Sequence, residues 1–142
     1  IDFGRHTAAS PDGRRAGEPL SKNAAASPGA DRQGVTGLIR SAAALDYAQL
    51  PNGTVLDLVL HRSAAEGEDG LAAMQGLLTV FLRRGGFALH ANVLDPQVLC
   101  AAQAHPEQYR TLQVRLCGWN VYFVDLSREE QDEFIRQCSC AG

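Results

Sequence analysis

The feature that most constrains the fold is a strand–helix–strand pattern over residues 54–94. The stretch 54–61, TVLDLVLH, consists mostly of residues that favour β-strands, and 87–94, FALHANVL, predicts a second strand. Between them, 68–84 carries apolar side chains at three- and four-residue spacing, which is typical of an amphipathic helix. These side chains are Leu71, Met74, Leu77, Leu78 and Phe81. Strands that alternate with helices indicate an α/β fold.

Two more helices are predicted after this pattern. Asp95, followed by Pro96, begins a helix that extends to about Ala104. Ser127 and Glu130 have the spacing of a capping box and begin a last helix, extending to about Gln137.

The first third of the chain is irregular. Residues 1–53 are rich in Gly, Pro, Ser, Asp and Arg, and 11–34 has turn chemistry throughout. One short helix is predicted around 35–45. The sequence therefore divides into a long irregular segment, 1–53, and a more regular part, 54–142.

Composition excludes some classes of function. Of the 142 residues, 45% are apolar, which is enough for one packed core. The net charge of −3 argues against a partner that is a nucleic acid or a membrane surface. No secretory signal is visible, so a reduced cytoplasm is expected. The chain opens with Ile1 rather than Met, so a fragment or processed piece is expected.

No metal site is predicted from the cysteines or histidines. Cys100, Cys117, Cys138 and Cys140 lack the paired spacing of metal ligands. Cys100 is expected in the core, and Cys117 is favoured as a small buried residue. Cys138 and Cys140 are expected at a frayed end.

Two polar features receive structural interpretations. His90 lies in a predicted strand and is expected to be a core histidine with a hydrogen-bond partner. Asp12, Arg14 and Arg15 form a DGRR turn that either holds an anion or is joined by salt bridges, and the second alternative is favoured.

Gly118 is unusual because it interrupts an apolar run, 113–123, QVRLCGWNVYF. Glycine weakens a strand interior, so a bulge or tight turn between two short strands is one hypothesis. The other is chemistry at the glycine itself. Without a Cβ, a radical on the α-carbon can become planar and delocalise over both adjoining amides. Packing by Trp119, Val121 and Phe123 would shield it from water and oxygen.

Arg115 has two interpretations as well. It is either a surface charge or a support of this loop that donates hydrogen bonds to backbone carbonyls.

The stretch 115–123, RLCGWNVYF, resembles the radical-site signature of the glycyl radical enzymes. The segments 11–21, 85–115 and 125–135 resemble other blocks of that family, in the same order. Leu116, Cys117 and Trp119 depart from the commoner residues, while Arg115, Gly118 and Phe123 match the family. By this resemblance Gly118 carries the radical, supported by Arg115, Cys117, Trp119 and Phe123.

The resemblance implies a fold and a mechanism. It implies the C-terminal portion of a ten-stranded α/β barrel of the pyruvate formate-lyase type, with residues 54–142 as the glycine radical domain. No cofactor is expected on the chain itself. An iron–sulfur activating enzyme that uses S-adenosylmethionine installs the radical on Gly118. The radical then passes to a cysteine on an upstream loop, and none of the four cysteines here matches that residue. A homodimer of the parent enzyme is expected.

Three functions follow as hypotheses. The first is the radical-bearing portion of a full enzyme, either a formate C-acetyltransferase or a related dehydratase or decarboxylase. The second is a stand-alone replacement subunit that repairs an oxygen-cleaved enzyme. The third is a non-catalytic α/β binding module in which Gly118 is only a bulge.

Overall fold

A computed structural model describes the backbone of residues 2–140 and the side chains of residues 4–139. The helices are α1 (Asp2–Arg5), α2 (Gly34–Ala42), α3 (Gly67–Arg83), α4 (Pro96–Ala104) and α5 (Arg128–Cys140). The strands are β1 (Val55–His61), β2 (Ala88–Leu94), β3 (Gln113–Leu116) and β4 (Trp119–Tyr122). Short 3₁₀ turns occupy Tyr47–Gln49, Arg62–Ala65, Pro106–Gln108 and Phe123–Asp125.

The strand–helix–strand prediction is confirmed, and the fold is α/β. Strands β1 and β2 pair in parallel, with Val55 opposite Ala88 and His61 opposite Leu94. Helix α3 forms the crossover between them, as a parallel connection requires. The division at residue 53 stays a prediction.

The capping predictions are also confirmed. The Asp95 carboxylate accepts a hydrogen bond from the Gln97 amide at 2.8 Å, so α4 begins as expected. The Ser127 hydroxyl and the Glu130 carboxylate lie 3.0 Å apart at the start of α5. These polar groups satisfy amides that the first helical turn leaves without partners.

The parallel pair is the layer on which both hydrophobic cores are built. On one face, Leu56 and Leu58 pack with Ile39 of α2 and Phe81 of α3. On the other face, Val59 packs against a second core beneath α4 and α5. The fully or nearly fully buried members of that second core are Leu99, Ala102, Val114, Phe123, Phe134 and Cys138.

The predicted apolar face of α3 is only partly buried. Phe81 is fully buried, but Leu71 is 69% exposed and Leu78 is 38% exposed. The helix that the spacing predicts is thus present, and only part of its apolar face enters the core. Within the described residues, α3 packs mainly on α2 and the adjoining 3₁₀ turn, which cover one narrow stripe of the helix.

Two cysteine predictions are wrong. Cys100 is exposed, because α4 directs its neighbours Leu99 and Ala102 into the core instead. Cys138 is fully buried, and its thiol donates to the carbonyl of Leu94 at 3.2 Å. Helix α5 continues past Gln137 to Cys140, so Cys138 lies inside the helix and not at a frayed end.

The DGRR turn is organised by hydrogen bonds rather than salt bridges, which corrects the favoured interpretation. The Arg14 guanidinium donates to the Ser10 hydroxyl and to the carbonyls of Ala8, Arg15 and Glu18. Its donors are therefore used within the loop itself. The pKa of Asp12 is lowered by its hydrogen bond with Ser10 and then by the amide of Arg14.

None of the described helices has the length and apolar character needed to cross a membrane.

A substitution at Phe81 tests most directly the core that α2 and α3 form with β1. The Phe81 ring meets that of Tyr47 edge-on, with centroids 5.8 Å apart. Replacing Phe81 with alanine is expected to lower the free energy of unfolding by about 3–5 kcal/mol, because it leaves a cavity. The matched control Leu71→Ala, on the exposed side of α3, is expected to change it by less than about 0.5 kcal/mol. Urea unfolding followed by circular dichroism measures both. Equal losses in the two variants would contradict this packing.

Candidate functional site

Gly118 lies in the tight turn of an antiparallel hairpin. Strands β3 and β4 pair with Leu116 opposite Trp119, which leaves Cys117 and Gly118 as the two turn residues. Their φ angles are +49° and +90°. Positive φ at both central residues is the pattern of a type I′ turn, the preferred connection for a two-residue hairpin. The tight-turn hypothesis is therefore correct as geometry, and it leaves the chemistry at the α-carbon open.

The backbone conformation, rather than crowding, favours glycine at this position. A Cβ built on Gly118 meets no heavy atom within 4 Å beyond its chain neighbours. The φ of +90° lies in a region that residues with a Cβ seldom adopt. The α-carbon is thus held in a defined conformation while the space beside it stays open.

The shield expected around Gly118 is not formed by the described residues. Trp119 is 75% exposed. Phe123 is fully buried, but it lies in the core beneath α4 and α5. Neither Phe123 nor Val121 comes within 4 Å of the Cβ position of Gly118. At the hairpin tip, Cys117 and Trp119 are therefore exposed and Gly118 is partly buried.

Arg115 supports the hairpin differently from the expectation. Its guanidinium donates to the Asn120 side-chain oxygen at 3.1 Å, across the hairpin, and not to backbone carbonyls. The two residues lie directly opposite each other on β3 and β4. This cross-strand contact links the strands one pair below the turn.

The side chain of Asn92 contacts the backbone of Arg115. Sequence reasoning missed Asn92. Its Oδ1 accepts from the Arg115 amide at 2.7 Å, and its Nδ2 donates to the Arg115 carbonyl at 2.9 Å. Asn92 lies on β2 and is only 7% exposed. A polar residue at an inward position of a predicted strand is the signal that could have identified it, because buried amides need partners.

Cys117 is exposed, so the expectation that it is a small buried residue is wrong. Partial desolvation by neighbouring protein nevertheless raises the pKa of its thiol, and the negative charge of Asp57 raises it further. The thiol is therefore mostly protonated near neutral pH.

A small polar cluster lies on the same face of the parallel sheet as Asn92. The Asp57 carboxylate accepts from the Asn23 side-chain amide at 2.6 Å, and its other oxygen lies 3.2 Å from His90 Nδ1. His90 is partly buried and has a partner, as expected. The parallel register that places Asp57 opposite His90 brings the pair together.

A cleft beside the hairpin is lined by side chains of both charges. Lys22, Asp57, Arg115 and Glu133 line it together with Asn92. Two cations and two carboxylates balance one another there. Among residues 4–139, no three His, Cys, Asp or Glu side chains converge as a metal ion would require.

Comparisons with known proteins agree on one family. A family model described as "glycine radical" matches residues 20–124. The chain is similar to the trans-4-hydroxy-L-proline dehydratase of Clostridioides difficile, with 37% identity over 95% of this chain and 17% of that protein. It is similar to the indoleacetate decarboxylase of Tractidigestivibacter scatoligenes, with 38% identity over 93% of this chain and 15% of that protein.

A solved structure shows the same likeness. A glycyl radical enzyme from Archaeoglobus fulgidus aligns with a TM-score of 0.83 and 44% identity, over 97% of this chain and 18% of that one. The chain thus spans less than a fifth of the length of the proteins it matches.

Alkylation of Cys117 tests the electrostatics at the hairpin tip. The thiolate is the form that reacts with the alkylating agent. A raised thiol pKa therefore means that the alkylation rate increases only at higher pH. The midpoint for Cys117 with iodoacetamide is expected above about 8.5, the value of an ordinary cysteine. Asp57→Asn removes a negative charge, so it is expected to lower the midpoint. Peptide mass spectrometry across a pH series measures the rates, and a midpoint at or below the ordinary value would contradict the assignment.

Proposed function

The chain belongs to the glycine radical family, and on that premise we propose that Gly118 is the residue that stores the radical. The family resemblance seen in the sequence is confirmed, and the matched region contains Gly118. The observation that carries the proposal is the place of this glycine. It occupies the two-residue turn of a hairpin with a φ of +90°, and a Cβ built on it would meet no heavy atom within 4 Å beyond its chain neighbours.

Glycine suits a stored radical for a physical reason. Loss of a hydrogen atom makes the α-carbon planar, and a Cβ would crowd the adjoining amides. A radical there needs more protection than the described residues provide, since Cys117 and Trp119 are exposed. We therefore place the tip inside a larger fold, enclosed by parts of a longer polypeptide.

The parallel strands support such a larger fold. Parallel sheets are normally covered on both faces and contain more than two strands. Strands β1 and β2 form a pair of only two among the described residues. In our proposal they contribute to the ten-stranded α/β barrel that the family resemblance implies.

The reaction class we propose is that of a lyase. The relatives named above are a dehydratase and a decarboxylase, and neither is an acyltransferase. This favours cleavage of a C–O or C–C bond over the formate C-acetyltransferase alternative. In the proposed sequence, the Gly118 radical takes a hydrogen atom from a cysteine thiol, and the resulting thiyl radical takes one from the substrate. After the bond is cleaved, the product radical takes a hydrogen atom back from the cysteine thiol. The regenerated thiyl radical then takes one from Gly118, which restores the glycyl radical.

The reacting cysteine in this proposal lies outside the chain. Cys138 is buried with its thiol on the Leu94 carbonyl, and Cys100 is exposed on α4. Cys117 adjoins Gly118, but it lies within the radical-site stretch and does not match the upstream cysteine that the family resemblance implies.

The proposed partners follow from the same chemistry. An iron–sulfur activating enzyme that uses S-adenosylmethionine would remove the hydrogen atom from Gly118, because radical initiation is cofactor chemistry. A homodimer of the parent enzyme is proposed as well. The replacement-subunit hypothesis gains no support, since the relatives named above are several times longer than this chain.

The test is electron paramagnetic resonance of the activated polypeptide. Anaerobic activation with a family activating enzyme and S-adenosylmethionine is expected to give the doublet of a glycyl radical. Gly118→Ala is expected to abolish both the doublet and turnover. The matched control is Gly85→Ala, because Gly85 has a φ of +89° and equally open space around its Cβ position. That control is expected to keep the doublet. A full doublet in Gly118→Ala would disprove the assignment.

A further inference from the structure

We propose that Asn92 is a positioning residue, which sets where the tip of the β3–β4 hairpin stands relative to the parallel sheet. The proposal rests on the proposed function only in that this tip carries Gly118.

The hairpin leaves the backbone of Arg115 without a partner on β4. In an antiparallel pair, residues that exchange hydrogen bonds alternate with residues whose N–H and C=O point outward. The Phe123 amide donates to the Leu112 carbonyl at 2.8 Å, which makes that pair a bonded one. Counting along the register, Arg115 falls at an outward position. Its backbone groups therefore face β2.

A single side chain satisfies both of these groups. The Asn92 amide accepts from the Arg115 N–H and donates to the Arg115 C=O, at 2.7 and 2.9 Å. The Asn92 side chain thus makes the two hydrogen bonds that a further strand beside β3 would otherwise make. The geometry also fixes the orientation of the amide, because a flipped Asn92 would set two oxygens and two N–H groups against each other.

This contact controls the tip because of where it lies. Arg115 and Leu116 are the last two residues of β3, and the turn that holds Gly118 follows them directly, so the tip stands beyond the contact. A two-stranded hairpin is marginally stable by itself. A small rotation of the hairpin about Arg115 therefore displaces Gly118 by a larger distance than it displaces the Asn92–Arg115 contact. Reactions that depend on the approach of two groups are sensitive to displacements of about 1 Å.

Few side chains can take the place of Asn92. Alanine would leave the partly buried amide and carbonyl of Arg115 without these partners, which is costly. Ionised aspartate keeps the acceptor but loses the donor, and it faces the Arg115 carbonyl with a negative charge.

The chain offers natural positions for the test. Cys100 on α4 and Cys117 at the tip are both exposed, whereas Cys138 is fully buried. In a Cys140→Ser background, nitroxide labels on Cys100 and Cys117 report the distance between the sheet-bound helix and the hairpin tip by double electron–electron resonance. No radical on Gly118 is needed, so this result is independent of whether the proposed function holds.

Asn92→Asp is the informative variant. The population with the tip away from its main position is expected to rise roughly tenfold, since the partly buried Arg115 carbonyl loses its donor and faces a negative charge instead. The control is Gln131→Glu, an equivalent change at another buried amide, which donates to the carbonyls of Phe123 and Leu126. This control is expected to lower the unfolding temperature while it keeps the narrow distance distribution. An unchanged distribution in Asn92→Asp, or equal broadening in both variants, would overturn the proposal.

Discussion

The parallel pairing of β1 with β2 is the interaction on which the rest of the structure depends. One face of the pair anchors the core of α2 and α3, and the other anchors the core of α4 and α5. The second face also carries Asn92, which fixes the hairpin. The register places Val59 opposite Asn92, so one strand pair joins a hydrophobic core to a polar contact. The position of Gly118 is therefore a consequence of how two strands align far from it in sequence.

The sequence predicted the elements of this fold well because local signals determine them. Asp95, Pro96 and the Ser127–Glu130 box act within one helical turn, and each marked a true helix start. Exposure was predicted less well, as Cys100 and Cys117 show. Whether an apolar residue is covered depends on which elements pack beside it, and spacing along one helix does not contain that information.

The candidate site shows the same division. The glycine at position 118 stood out because it interrupts an apolar run, and both the turn and the family resemblance were recognisable there. Asn92 was overlooked, since its role depends on an edge of β3 that exists only in the folded chain. The pairing of Asp57 with His90 likewise follows from register, which alternating patterns do not fix between two distant strands. The site residues that sequence reasoning could not find are those whose role depends on pairing between distant strands, rather than on residue type.

The central claim is that the radical is stored on Gly118 and on no other glycine. The most direct measurement is to admit air to the anaerobically activated polypeptide and to map the new chain ends by mass spectrometry. Oxygen reacts with a glycyl radical at its α-carbon and breaks the backbone there, so the account predicts a single cut at Gly118 whose extent follows the lost doublet. A chain that stays intact, or one that is cut at a different glycine, would contradict it.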